Sequence, residues 1–339
     1  MKALDLILAT RANRSTGIER YCKNVARYWP VGESVAIYTS AENDEKYLFE
    51  VRCKGKAILA WLFLPFVAAR QGITKIVFPG FPPSPLFLFF PRINLVRVIH
   101  DAVPFLFPKT LSVQGKLLFN WLERILLNRY CKIFAPTEIV ASQIMEIFPN
   151  IICGCCGNAA GASLTGSARV PNRLGSVVKN FALAVGTVEP RKNYPELVSA
   201  WLKRDSDQIL VIIGRAGWGG DASQIKSSLS HSNKIIWLDS ATDEELRWCY
   251  ANAALFITVS RAEGFNMPLV EAGISGLPIL ASDIPIHRFV AAPWARFVST
   301  DQPDLSWTEA GETKVPPDEI EIYRARFSWK YVAETLADA

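Results

Sequence analysis

The chain has 339 residues, of which 50% are hydrophobic and 20% charged, with a net charge of +5. This supplies ample apolar surface for buried cores and excludes a largely disordered chain. The length suits two domains of ordinary size, and the basic excess falls short of a nucleic-acid footprint while suiting anionic phosphates or an anionic membrane surface.

In chain order, Leu4–Ala9 reads as a strand and Gly17–Tyr28 opens a helix. Val35–Thr39 reads as a strand. The apolar run Ala57–Ala69 has 13 residues, fewer than the roughly 20 that span a bilayer. It is flanked by Lys54, Lys56 and Arg70, and a second apolar stretch follows at Phe81–Phe90. Such segments are either core or interfacial surface. Lys75–Phe78 and Leu95–His100 read as strands, Leu117–Arg129 as an amphipathic helix and Lys132–Pro136 as a strand. Strands separated by helices predict a parallel, doubly wound sheet. Residues 153–179 open on a run of small residues, which predicts a linker and a domain boundary near residue 170.

The second half repeats the alternation. Phe181–Val185, Gln208–Ile213, Lys234–Leu238, Leu255–Thr258 and Pro278–Ala281 read as strands. Tyr194–Lys203, Asp221–Ser230, Thr242–Ala251 and Pro268–Ser275 read as helices, the third with a cap-like Thr-Asp-Glu-Glu start. The segment from Asp318 onward reads as helical, with no strand to pair with. The division expected is therefore 1–170, 171–317 and a C-terminal helix, 318–339, packing back on the first domain.

Seven cysteines are present, an odd number and mostly scattered. The opening residues lack the apolar segment and cleavage site of a signal peptide, so reduced, cytosolic cysteines are expected. The Cys153–Cys156 cluster has no nearby His and no second pair at zinc spacing, so no metal is expected there.

Residues 260–273, Ser-Arg-Ala-Glu-Gly-Phe-Asn-Met-Pro-Leu-Val-Glu-Ala-Gly, follow a strand and open a helix. Gly264 permits a tight turn. The free N–H groups of Phe265, Asn266 and Met267 at a helix N-terminus attract anions such as a diphosphate. Glu263 and Glu271 stand at two points from which carboxylates could reach one ligand, as acidic side chains do with ribose hydroxyls. Residues 185–194, Val-Gly-Thr-Val-Glu-Pro-Arg-Lys-Asn-Tyr, place Gly186 at a strand end with Arg191 and Lys192 beyond it, and both cations suit phosphate.

Together these two stretches resemble the retaining glycosyltransferases of family 4. The resemblance rests on Gly-Thr-Val-Glu-Pro-Arg-Lys-Asn at 186–193 and Glu-Gly-Phe-x-x-Pro-x-x-Glu-Ala at 263–272, strongest over residues 181–290. The first half matches more weakly, through Thr-Gly-Ile-Glu-Arg-Tyr at 16–21 and His-Asp-Ala-Val-Pro at 100–104. It implies an α/β GT-B fold of two Rossmann-like doubly wound domains facing a cleft, the first binding acceptor and the second nucleotide sugar. By the same resemblance His100, Glu263, Arg191 and Lys192 form the catalytic set. Gly17, Asp101, Gly186, Phe265, Asn266, Met267 and Glu271 bind substrate. The family suggests GDP-mannose as the donor co-substrate, with UDP- or dTDP-sugars behind it, and no metal or other cofactor. The activity implied is mannosyl transfer in bacterial polysaccharide or O-antigen assembly. The basic-flanked apolar segments motivate a lipid-diphosphate-linked saccharide acceptor and peripheral placement at the inner face of the cell membrane. No nucleic-acid partner is expected, and the oligomeric state is not legible.

Rival readings have weaker support. A nicotinamide dehydrogenase needs Gly-x-Gly-x-x-Gly after the first strand, and the first loop, Thr10 to Gly17, has one glycine. A sugar-nucleotide 2-epimerase shares the fold but is disfavoured by the paired glutamates. A scaffold with a relict site would have lost one of Arg191, Lys192, Glu263 or Glu271. Asp205-Ser206-Asp207 matches a cation-binding signature of the other glycosyltransferase fold, but falls at the amino end of a strand, where ligands of α/β sheets do not bind.

Overall fold

Both sheets are built from parallel strands, as the alternation of apolar runs and helices predicts. The structure, a computed structural model, describes residues 1–10, 16–30, 35–40, 50–108, 111–161, 164–174, 180–229, 232–306 and 315–339. Two compact units divide the chain: residues 1–159 with 328–339, and residues 160–327.

In the first unit the strands are β1 (Lys2–Asp5), β2 (Val35–Ser40), β3 (Glu50–Cys53), β4 (Lys75–Phe78), β5 (Asn94–Val98), β6 (Tyr130–Ala135) and β7 (Cys153–Cys155), in the order β3-β2-β1-β4-β5-β6-β7. The first strand ends at Asp5 rather than Ala9. The Asp5 carboxylate accepts from the Ile7 N–H at 3.1 Å, and Thr10 N–H bonds the Leu6 carbonyl. The chain turns there while staying buried. The small-residue run expected as a linker begins with β7. A Cβ on Gly154 would lie 3.2 Å from the Phe134 ring, so smallness here serves strand packing beneath an aromatic side chain.

The apolar run at 57–69 forms one helix, Ala57–Arg70, which buries Trp61, Leu64 and Ala68 in a core shared with Phe78, Phe87, Leu95, Leu122 and Leu126. The expected Leu117–Arg129 helix begins earlier, at Val113, and runs through a π-helical stretch, Leu117–Leu122. One buried ion pair fastens it to the sheet. Arg97, 1% exposed, donates to Glu123 at 2.7–3.1 Å and to the carbonyls of Phe78, Gly80 and Val98. Tyr130 completes the shell by donating to Glu123.

The second unit holds β8 (Ala182–Val185), β9 (Leu210–Ile213), β10 (Ile235–Leu238), β11 (Leu255–Thr258), β12 (Ile279–Ser282) and β13 (Arg296–Val298), in the order β10-β9-β8-β11-β12-β13. The strand order reverses between β8 and β11, and ligands of open α/β sheets bind at the carboxyl ends of strands beside such a reversal. The Asp243–Asn252 helix carries the expected capping box, Thr242 with Glu245. The C-terminal segment is two helices, not one. Pro317–Ala325 belongs to the second unit, where Tyr323 lies against Gly273 and donates to the Val290 carbonyl at 2.7 Å. Trp329–Ala337 belongs to the first, where Lys2 and Lys75 donate to the carbonyls of Ala337 and Ala339. Asp205 and Asp207 lie exposed ahead of β9, at its amino end. Among the described residues no helix is long and apolar enough to cross a membrane.

Candidate functional site

The loops after β8 and β11 meet at the reversal point of the second sheet. After β8 the chain makes a tight turn at Gly186, φ +152°, whose carbonyl accepts from Tyr194 OH at 3.2 Å. Gly214, after β9, also has positive φ, and a Cβ there would lie 1.9 Å from the Gly186 carbonyl oxygen. Only glycine permits this approach. Backbone bonds from Val188 N–H to Arg215 O and from Gly217 N–H to Val188 O then hold the two loops together. The single 3-10 turn Pro190–Lys192 follows, ended by Asn193 in the left-handed region. Asn193 is fixed from both sides, donating to Thr300 O at 2.7 Å and accepting from Arg261 Nε at 3.0 Å.

That turn delivers Arg191 and Lys192 to Glu263. Glu263 is 7% exposed. Arg191 Nη1 pairs with its Oε2, and Lys192 Nζ donates to Oε1 at 2.5 Å. Arg191 Nε also pairs with Glu189 at 2.5 Å. Burial works to raise the pKa of Glu263. The charges of Arg191 and Lys192 outweigh burial and hold it well below the usual carboxylate range. The ammonium of Lys192 uses one of its three protons on Glu263, and the other two have no acceptor among the described residues.

The loop after β11 is set by a buried polar network that the sequence reading missed. The left-handed residue is Asn266, φ +71°, not Gly264. Asn tolerates that region because its short side chain can bond locally. Its amide donates to Thr258 Oγ1 at 3.2 Å and to His287 Nε2 at 2.9 Å. His287 is fully buried, and burial pushes its pKa down to about 4. The neutral ring therefore donates through Nδ1 to Ser282, leaving Nε2 to accept from Asn266. Ser282 donates onward to the Ser260 carbonyl at 2.6 Å. Held this way, the loop leaves the N–H groups of Phe265, Asn266 and Met267 without acceptors among the described residues, at the start of the Met267–Ile274 helix.

Glu271, inside that helix and 4% exposed, accepts from Tyr250 OH at 2.7 Å and from the Gly161 N–H at 2.9 Å. The structure thus brings Gly186, Arg191, Lys192, Glu263, Phe265, Asn266 and Met267 together on two adjacent loops, with Glu271 one helix turn on.

The first-unit candidates have different settings. His100 lies just past β5. Its Nε2–H donates to the Pro79 carbonyl at 2.7 Å, and its ring stands edge-on to Tyr21 at 4.6 Å. Burial, with the Arg97 charge, pushes its pKa down to about 4, so the neutral ring keeps Nδ1 as an acceptor. Asp101 accepts from the Val103 N–H at 3.1 Å, at the first residue of a short helix. Gly17 is exposed at the first position of the Gly17–Arg27 helix, with nothing within 4 Å of where a Cβ would stand. Most of the loop before it, 11–15, lies outside the described residues. Glu189 and His287 were within reach of sequence reasoning: Glu189 sits inside the Arg-Lys stretch, and His287 is one of only three histidines.

Residues 172–307 match the family described as "Glycosyl transferases group 1". The serotype-specific mannosyltransferase WbdA of Escherichia coli is 27% identical over 70% of this chain and 32% of its own length. The O-antigen chain mannosyltransferase RfbU of Salmonella typhimurium is 25% identical over 64% of this chain and 60% of its own. A GDP-mannose:cellobiosyl-diphosphopolyprenol alpha-mannosyltransferase of Xanthomonas oryzae is 27% identical over 67% of this chain and 62% of its own. The chain thus spans about a third of the length of the E. coli relative. Anabaena HepE, solved with UDP and glucose, has a TM-score of 0.73 at 15% identity, covering 100% of this chain and 98% of that one. That likeness shows the fold. The chain therefore carries a group 1 glycosyltransferase domain within a GT-B fold of two Rossmann-like units, and it resembles bacterial O-antigen mannosyltransferases.

Proposed function

We propose that this protein transfers a hexose, mannose from GDP-mannose, to a lipid-diphosphate-linked saccharide in bacterial polysaccharide assembly, with retention at the anomeric carbon. The observation that carries the proposal is the pairing of Arg191 and Lys192 with Glu263 beside three backbone N–H groups that have no acceptor among the described residues. As the glycosidic bond to the diphosphate breaks, negative charge grows on the leaving group. Arg191, the two uncommitted protons of Lys192 and the helix N-terminus stabilise that charge. Glu263 keeps both cations in place and contacts hydroxyls of the transferred sugar, Glu271 binds the donor ribose, and Gly186 lets the donor approach the backbone. In the first unit, Nδ1 of His100 accepts from a sugar hydroxyl, Asp101 shapes the turn that presents His100, and Gly17 keeps the first loop open to substrate. The departing phosphate oxygen takes the acceptor proton, so no protein nucleophile is required. Work at the inner face of the cell membrane, against an anionic lipid surface, belongs to the same proposal. The activity for which the Xanthomonas relative is named supports this donor and this kind of acceptor.

A thermal-shift panel with GDP, UDP, dTDP, ADP and NAD tests the reading. A ligand at about 100 times its Kd adds roughly 2.7 kcal/mol of stability. A shift with GDP, followed by mannose release from GDP-mannose, is the expected result. A shift with UDP or dTDP instead replaces the donor. A shift with no nucleoside diphosphate, or with NAD alone, overturns the proposal.

A further inference from the structure

The first unit presents an apolar outer layer that no element among its described residues covers. The helix Ala57–Arg70 turns one face to the core and the other outward. The outer face carries Ile58, Leu59, Phe63, Phe66 and Val67, which are 36–53% exposed. The layer continues through the ring contact of Phe66 with Phe90, at 4.9 Å, onto Leu88 and Phe89, the latter 77% exposed. A second stripe runs along the helical stretch from Val113. Val113, Leu117, Trp121 and Ile125 recur every fourth residue, all exposed, with Leu106 and Phe107 adjoining. Trp61 and Leu64 beneath the first stripe, Phe87 beneath the turn, and Leu122 and Leu126 beneath the second belong to one core cluster on one side of the sheet. The two stripes are therefore the outside of a single layer.

Charge decides what this layer meets. Between Val51 and His100 the sequence has seven Lys or Arg residues and no Asp or Glu; of the seven, Arg97 is buried against Glu123 and adds nothing to the surface. Lys54 and Lys56 stand exposed at the start of the first helix, Arg70 at its end, and Arg92 after the Phe89 turn. Lys116 and Arg124 flank the second stripe. A protein–protein docking face would carry both signs of charge or few charges at all, whereas an aromatic stripe whose exposed flanks among the described residues are these six cations matches an anionic bilayer. The helix is too short to span and has already committed one face to the core, so it can only lie flat in the headgroup region.

We infer that the Ala57–Arg70 and Val113–Ile125 stripes form the face by which the protein docks on anionic lipid, with Phe63, Phe66, Phe89 and Trp121 as inserted anchors. The inference rests on the membrane-facing reading given above and names the surface that serves it. The test is co-sedimentation with phosphatidylglycerol/phosphatidylcholine vesicles against phosphatidylcholine alone, using Phe63→Ser with Phe66→Ser, Trp121→Ser, and Lys54→Glu with Lys56→Glu. The expected result is binding to the anionic vesicles only, weakened about tenfold or more by each set, with the thermal shift by GDP unchanged. The unchanged shift separates lost docking from a lost donor site or an unfolded chain. Equal sedimentation of parent and all variants overturns the inference. So does a concentration-dependent dimer, seen by analytical ultracentrifugation, that the same substitutions disperse, since the face would then belong to a second copy.

Discussion

Replacing Glu263 by Gln removes one negative charge and almost no volume, so its effect isolates the ion cluster. In the parent the Lys192 side chain is 9% exposed, that of Arg191 24% and that of Glu263 4%. Breaking a buried pair from one side costs about 3–5 kcal/mol, because the remaining charge stays desolvated. Arg191 keeps Glu189 at 2.5 Å, so the lower end, about 3 kcal/mol, is the reasoned figure at neutral pH. For a unit of this size that lowers Tm by roughly 6–12 °C. The pH dependence supplies an independent check. The folded-state pKa of Glu263 is depressed, so its contribution is present above the unfolded value of about 4.3 and is lost as pH falls below it, at up to about 1.4 kcal/mol per pH unit. The gap between parent and Glu263→Gln should therefore be constant from neutral pH down to about 5 and narrow below about 4.3. Urea titrations across that range read both quantities. Adding Lys192→Met should recover part of the loss, because it removes the stranded charge. A Glu263→Gln protein within about 0.5 kcal/mol of the parent at neutral pH, or a gap that does not narrow in acid, would refute the assignment.

Gly214→Ala should destabilise by more than the usual 1–3 kcal/mol of overpacking, because its Cβ would meet the Gly186 carbonyl, which is backbone and cannot yield; urea denaturation checks this, and the GDP thermal shift should vanish with it. His287→Ala should cost about 3 kcal/mol or more, from a cavity and the lost partners of Asn266 and Ser282, while His287→Gln, which can both donate and accept, should recover part of that in the same urea assay. Asp5 is 5% exposed, and burial raises its pKa to about 7. A raised pKa means stability that is full below about 4 and lost as pH rises through about 7. Asp5→Asn, which keeps an acceptor for the Ile7 N–H, should gain on the parent between those limits by up to about 4 kcal/mol; equal pH profiles for the two proteins would show that Asp5 does not titrate there.

The loops after β8 and β11 were legible because each chemical need left a residue of fixed type beside a strand end. Arg191, Lys192 and Glu263 carry charges whose burial must be matched, and Gly186 sits where no other residue fits. The Asn266–His287 network was not legible. It joins residues from β11, the following loop, β12 and the helix after it, and only the folded sheet brings these within hydrogen-bond reach of one another. Asn266 gave no signal of positive φ because Gly264, two residues before it, was the more obvious candidate. Boundaries failed where a side chain replaced a ladder bond, as at Asp5, and where small residues served packing, as at Gly154. The periodicity at 57–69 could not separate core from surface. The helix is both, with Trp61 and Leu64 turned in and Phe63 and Phe66 turned out.

The two units differ most in what they leave exposed. Among the described residues of the second unit the large exposed hydrophobics are Val170, Trp218, Phe289 and Ile322, spread over more than 150 residues of sequence with no periodic stripe. Single exposed apolar residues of this kind are ordinary on soluble surfaces. The first unit has Met1, Tyr28, Ile152 and Tyr331 scattered in the same way, but concentrates the rest of its own between Ile58 and Ile125, largely in two helical stripes on one side of one sheet. Burial explains neither pattern, since both units have complete cores. Under the proposed function the distinction follows from what each unit would handle. A nucleotide diphosphate is a small anion that calls for glycine turns, paired cations and open N–H groups, and those are what the β8–β11 loops supply. A lipid-linked acceptor enters from a surface rather than from solution, and a unit that receives it gains from an apolar, cation-rimmed face that would otherwise be an aggregation hazard. Selection for solubility alone would have placed a carboxylate somewhere along Val51–His100, and none is there.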